Sequence, residues 1–224
     1  NADSVMGNAN MFLRRFASRV ATAFPGVAKG AVVTGLPVRA GIIRAARAKY
    51  DSSGPIVVMG GSQGAQLLSR VVPEALSKMK KRPRVFHQAR PEDMAEVREF
   101  YGSLGIGAAV EGFFPDAAGL LAKCSVFIGR AGANTVFEVG TVGRPAVFVP
   151  IEHKDQQQVL NARKIADNGG AVLLRERDFG PDLLAAVLDG MLSEPKKLEK
   201  MAIRAKIFGN VNAAAKIADL VEEK

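Results

Sequence analysis

From residue 56 onward the chain alternates short Val-, Ile- and Phe-rich runs with longer helical stretches, and no other feature limits its fold so tightly. Runs of a few apolar β-branched residues make strands buried on both faces. When a helix follows each one, successive strands lie parallel, because the helix carries the chain back to its starting edge. The pattern predicts strands at 56–60, 84–88, 109–113, 125–129, 145–149 and 171–174, and helices at 65–81, 91–104, 116–123, 134–142, 155–167 and 181–192. Pro91 and Pro115 suit the first turns of their helices, whereas Pro73 should kink or shorten its own. The fold class is α/β: a Rossmann-like parallel sheet with helices on both faces.

Before this region, Phe12, Phe16, Val20 and Phe24 recur at helical spacing and predict an amphipathic helix over 8–24, closed by Pro25-Gly26. A short strand at 31–34, the turn Gly35-Leu36-Pro37 and a basic helix near 40–50 follow, then the break Ser52-Ser53-Gly54-Pro55. At 224 residues the chain can bury a full core as one large or two small domains. It has no apolar run of about eighteen residues, so nothing spans a bilayer as a helix. Asn-Ala-Asp-Ser, without a basic or apolar region behind it, reads as the start of a fragment or processed chain rather than a signal peptide. The lone Cys124 excludes an intrachain disulfide and fits a reducing compartment. A net charge of +9 favours anionic partners: nucleotide, nucleic acid or an acidic membrane face. With no Trp and only two Tyr, a base-stacking platform for single strands is disfavoured.

In sheets of this kind ligands sit outside the carboxyl ends of the strands, so the loops there carry the site. Gly60-Gly61-Ser62-Gln63-Gly64-Ala65 joins a strand to a helix opening near Gln66. Its glycines permit a tight turn and close approach of an anion, and the helix N-terminus offers unpaired N–H groups. It matches neither G-x-x-x-x-G-K-[ST] nor G-x-G-x-x-G, and both an anion cradle and a bare turn fit it. Arg130-Ala131-Gly132-Ala133-Asn134-Thr135 is a second such turn, with Glu138 one helical turn on, placed to accept two ribose hydroxyls. Alternatively Asn134 or Thr135 caps the helix and Glu138 is a favourable first-turn acid. The third loop, Pro150-Ile151-Glu152-His153-Lys154-Asp155-Gln156-Gln157-Gln158 with Asn161 beyond, offers Asp155 as an N-cap and amides suited to sugar hydroxyls, or else a solvated face. Arg39, after a rigid turn, is within reach of a pyrophosphate or is a lone exposed Arg. His87 and His153 lack the partners of a metal site, no Asp-x-Asp occurs and Ser62 has no evident base beside it, so binding groups stand out and a catalytic residue does not.

Taken in order, these segments resemble the MurG family of peptidoglycan glycosyltransferases, two-domain enzymes of the GT-B class, and specifically their C-terminal half. The resemblance rests on Ala23-Phe24-Pro25-Gly26, Gly35-Leu36-Pro37-Val38-Arg39, residues 60–65, His87-Gln88, Arg130 to Thr135 with Glu138, and Phe148-Val149-Pro150 through Gln158 with Asn161. It implies transfer of N-acetylglucosamine (GlcNAc) from UDP-GlcNAc to lipid I, forming lipid II, at the cytoplasmic face of the bacterial inner membrane. It implies donor contacts from Arg39, Gly61, Ser62 and Gln63 at the diphosphate and from the backbone of Phe113 and Phe114 at uracil. Ala133, Asn134 and Thr135 would line the donor near its phosphates, Glu138 would hold the ribose, and Gln157 and Gln158 would read GlcNAc. No metal or cofactor is implied. Residues 1–30 would be an interdomain helix and linker, and 31–224 the donor domain. Leu36 departs from the Asn common in the family, and Ala131-Gly132-Ala133-Asn134-Thr135 from its Ser-Gly-Ala-Leu-Thr.

The implied acceptor site, membrane patch and general base belong to an N-terminal domain that would precede Asn1, so the chain is expected to bind donor without turnover. A non-catalytic UDP-sugar-binding subunit with a separate membrane partner is the alternative. A UDP-GlcNAc 2-epimerase shares the fold but lacks support here, and nucleic-acid binding rests on charge alone. The basic stripe over 196–208 suits an acidic membrane, an absent domain or, most simply, the surface of its own domain.

Overall fold

The computed structural model describes residues 1–61, 65–152, 154–206 and 208–222. Its first elements are α1 (Asn8–Leu13), β1 (Ala21–Thr22), β2 (Val32–Val33) and α2 (Ala40–Ala45). Strands β3 (Ile56–Met59), β4 (Val85–Gln88), β5 (Ala108–Glu111), β6 (Val126–Gly129), β7 (Ala146–Phe148) and β8 (Ala171–Leu173) then alternate with helices. Those helices are α3 (Gln66–Lys78), α4 (Met94–Ser103), α5 (Ala117–Lys123), α6 (Ala133–Val142) and α7 (Gln157–Ala166), and α8 (Pro181–Leu192), α9 (Pro195–Lys206) and α10 (Ala213–Glu222) follow. The six strands form one parallel sheet in the order β5-β4-β3-β6-β7-β8.

Both faces of this sheet are covered, as the unbroken apolar runs require. Ile56 and Val58 face a core with Leu68 and Val72 of α3, Val97 of α4 and Leu184 and Leu188 of α8. Val57, one residue out of phase, faces the opposite core with Ile42 of α2, Leu121 of α5, Phe137 of α6 and Ile165 of α7. α9 turns Leu198, Met201, Ala202 and Ala205 inward, so its basic stripe is the outer face of a helix packed on its own domain.

The N-terminal region departs from the predicted helix over 8–24. Helix α1 ends at Leu13, and the expected stripe breaks up, with Val20 half-buried between an exposed and a buried end. Phe12 and Phe16 meet edge to face at 5.5 Å but stay exposed. Phe24 is fully buried, its ring 4.9 Å from Phe137. Drawing Phe24 into the core extends the intervening chain, and Ala21 and Thr22 pair parallel with Val32 and Val33. The prolines also sit differently from expectation. α4 and α5 have Asp93 and Asp116 as N-caps, so Pro91 and Pro115 precede their helices rather than occupying first turns. Pro73 lies inside α3, which is shorter at both ends than predicted.

His87, on β4, is fully buried, with Nδ1 2.9 Å from the Tyr101 hydroxyl. Burial pushes its pKa down to about 4. Unfolded, the same ring takes up a proton near pH 6.5. Between these values the unfolded chain binds more protons, so stability is lost as pH falls from about 6.5 toward 4, by roughly 3 kcal/mol at full extent. Urea unfolding at pH 7.5 and pH 4.5 should show this loss, and His87→Gln should remove most of the difference. An unchanged difference in the variant would place the acid sensitivity elsewhere.

Candidate functional site

The strand order reverses between β3 and β6: from β3 the chain proceeds outward to β4, and from β6 to β7. Loops leaving these neighbours diverge and open a crevice at their carboxyl ends. Met59 and Gly129 are partners at its floor, and a Cβ on Gly129 would collide with the Met59 carbonyl oxygen and the Phe127 ring. Glycine is therefore needed there. On the β3 side Gly61 turns at φ +92, a left-handed conformation that costs glycine nothing sterically.

Beside this floor lies a cleft of about 300 Å³. Met59, Phe127, Leu121 and Val139 make its apolar base, and Phe113, Phe114 and Ala117 one wall. The Phe114 ring is braced edge-on against Phe86 at 6.0 Å. Gln88, whose Nε2 donates to the Gly112 carbonyl at 3.2 Å, ties β4 to that wall. Gly61, Thr135, Glu138 and Arg39 complete the lining. Arg39 Nε and Nη2 donate to the two Glu138 carboxylate oxygens at 2.9 and 3.2 Å, closing a bidentate ion pair. Its members differ in exposure: 64% for the Arg39 side chain and 19% for Glu138.

The N-terminus of α6 is open. Its N-cap is the extended Gly132, so neither Asn134 nor Thr135 caps it; Thr135 lines the cleft and Asn134 is exposed. The first-turn amides have no intrahelical acceptors and, among the described residues, no other acceptor, so they can meet an anion. Next to them, Gln158 Oε1 accepts from the backbone N–H of both Ala131 and Ile151, at 3.2 and 3.1 Å. Gln158 thus fastens the β6–α6 turn to the β7–α7 loop. Buried Asn161 extends the bracket, accepting from Ser4 N at 2.8 Å and donating to Asp3 Oδ1 at 3.0 Å. Arg130 is held by the Val149 carbonyl at 3.0 Å and Glu176 at 2.6 Å. Asp155 does not cap α7 as expected. Gln156 is the N-cap, at φ 56, while Asp155 Oδ1 accepts from Gln157 N at 3.2 Å.

Of the residues singled out in the sequence, Arg39, Gly61, Phe114, Thr135 and Glu138 line the one cleft. Ala133 and Asn134 open α6 beside it, and Gln157 and Gln158 start α7 in the neighbouring loop rather than lining it. Ser62, Gln63 and His153 lie outside the described residues. Met59 and Gln88 were not singled out as lining, although both end strands at the carboxyl edge. A larger groove of about 540 Å³ runs between α3 and α4, past Arg70, Glu74, Asp93, Glu96 and Phe100. It is lined by α3 and α4 alone, with no residue from a strand end, and Asp93 there is chelated by Arg90 at 2.8 and 2.9 Å. The smaller cleft, with open amides, an apolar base and a half-buried carboxylate, has the make-up of a ligand site. Among the described residues no group of three His, Cys, Asp or Glu side chains could hold a metal ion, and no helix is long and apolar enough to cross a membrane.

Known proteins place the chain. The UDP-N-acetylglucosamine–N-acetylmuramyl-(pentapeptide) pyrophosphoryl-undecaprenol N-acetylglucosamine transferase of Nitrobacter winogradskyi is 40% identical over 99% of this chain and 65% of its own. The same-named protein of Paramagnetospirillum magneticum is 41% identical over 98% of this chain and 64% of its own. The chain thus spans about two-thirds of their length or slightly less. The crystal structure of Acinetobacter baumannii MurG superposes with a TM-score of 0.86 at 29% identity, over 100% of this chain and 65% of that one. Residues 55–221 match the glycosyltransferase family 28 C-terminal domain, and the chain belongs to that family.

Proposed function

We propose that this chain is the donor-binding part of a glycosyltransferase that moves N-acetylglucosamine from UDP-GlcNAc to lipid I, forming lipid II. The observation that carries the proposal is the cleft at the β3/β6 crevice, with Glu138 half-buried beside the open N-terminus of α6. A carboxylate takes both hydroxyls of a ribose, and a helix N-terminus takes a diphosphate and favours the charge that grows on it as UDP departs. Uracil fits the wall formed by Phe113 and Phe114, where backbone groups would read its edge. GlcNAc would extend toward Gln157 and the NH2 group of Gln158. The names of the relatives support the choice of sugar and acceptor.

Residues 1–30 are proposed to lead into the other half of the enzyme. Met11, Phe12, Leu13, Phe16, Val32 and Val33 are exposed around β1 and β2. A two-stranded parallel sheet of two-residue strands is not a stable unit by itself and calls for further strands or cover. The acceptor, the general base and contact with an anionic inner-membrane surface are assigned to that other half, so attachment is peripheral and cytoplasmic.

Calorimetry with UDP-GlcNAc, UDP-glucose and UDP tests the donor assignment. Glu138→Ala should weaken all three ligands by roughly 10- to 100-fold, the worth of hydrogen bonds to a charged group. Gln157→Ala should weaken UDP-GlcNAc and leave UDP unchanged; an equal loss for UDP would refute its role at the sugar. Purified 1–224 should bind UDP-GlcNAc yet make no lipid II from lipid I in detergent. Turnover by this chain alone would overturn the division of labour.

A further inference from the structure

The Arg39–Glu138 pair does more than line the cleft. A guanidinium edge and a vicinal diol present the same thing to a carboxylate: two donors side by side. Arg39 engages both Glu138 oxygens through that fork, so it occupies the edge of the carboxylate from which a diol could reach both oxygens at once, although each oxygen keeps a second lone pair. The two residues lie 99 positions apart, on the N-cap of α2 and within α6, and both line the cleft. Arg39 is the more exposed partner, on a long side chain, while Glu138 is set into the wall.

We propose that Arg39 is an exchangeable latch on the ribose carboxylate: the entering nucleoside displaces it from Glu138, and the released guanidinium then closes on the diphosphate. This rests on the donor reading above and adds to it an order of events and an opposed pair of effects. Toward a nucleoside Arg39 is a competitor, because breaking the ion pair subtracts from binding. Toward a nucleoside diphosphate it is a ligand, because the freed cation finds phosphate oxygens. Arg39 is thus a positioning residue for Glu138 before binding and a contact residue afterward. It would also disfavour uridine lacking a diphosphate, a useful discrimination in a site meant for activated sugars.

Calorimetry of uridine and UDP against the chain and its Arg39→Met and Arg39→Lys variants tests the latch. An exposed ion pair is worth little, so Arg39→Met should tighten uridine by only about two- to fivefold. The same variant should weaken UDP by roughly tenfold or more. Arg39→Lys, which keeps the charge but not the fork, should also tighten uridine while retaining part of the UDP affinity. Raising salt should tighten uridine on the unaltered chain and leave Arg39→Met indifferent, since only the former has a pair to screen. With UDP bound normally by the unaltered chain, uridine unchanged or weaker in Arg39→Met would overturn the latch and leave the donor site standing. UDP tightening along with uridine would overturn the second half of the exchange. No binding of UDP by the unaltered chain would instead overturn the donor reading itself, and the latch with it.

Discussion

Adjacent parallel strands β3 and β6 send the chain in opposite directions, toward β4 on one side and β7 on the other, and a gap between their loops follows from that divergence alone. The local chemistry is fitted to the gap. Gly129 lets β6 lie against Met59 without a side chain in the way, and Gly61 turns the chain clear of the floor. Gly132 begins α6 with its first amides uncovered. Two cores, one on each face, hold the six strands in the order that makes the gap.

Electrostatics at this edge are more restrained than a net charge of +9 suggests. Arg130 is tied to Glu176, Arg175 to Glu152 and Arg39 to Glu138. Attraction for an anion therefore falls to backbone amides, to exposed Lys154 in the β7–α7 loop and to whichever of these paired arginines exchanges its partner most cheaply. Exposure singles out Arg39, since Arg130 is only 12% exposed and donates to the Val149 carbonyl as well. Gln158 and Asn161 keep the neighbouring loops in register, so the amides are aimed before any ligand arrives.

The six strands and the helices between them were legible because strongly apolar β-branched runs have few alternative uses in a chain of this size. Helix ends were less so: Asp93 and Asp116 are the N-caps, so Pro91 and Pro115 stand before the helices whose first turns they were expected to occupy. The reading of 8–24 as one helix failed because Phe24 belongs to the core around Phe137, and periodicity carries no information about which neighbour a ring will meet. Within the site, Glu138 and the glycine turns could be picked out by chemistry and position. The Arg39–Glu138 pair could not, since nothing local links residues 99 apart. Gln158 illustrates the same limit. Its amide was legible as a polar group at the right edge, but its use in joining two loops depends on where β6 and β7 end.

A crystal structure of the chain with UDP-GlcNAc tests the central claim most directly. The nucleotide is expected in the β3/β6 crevice, with its ribose hydroxyls on Glu138, its diphosphate at the N-terminus of α6 and Arg39 released toward the phosphates. Donor bound in the groove between α3 and α4, with Arg39 still chelating Glu138, would contradict it.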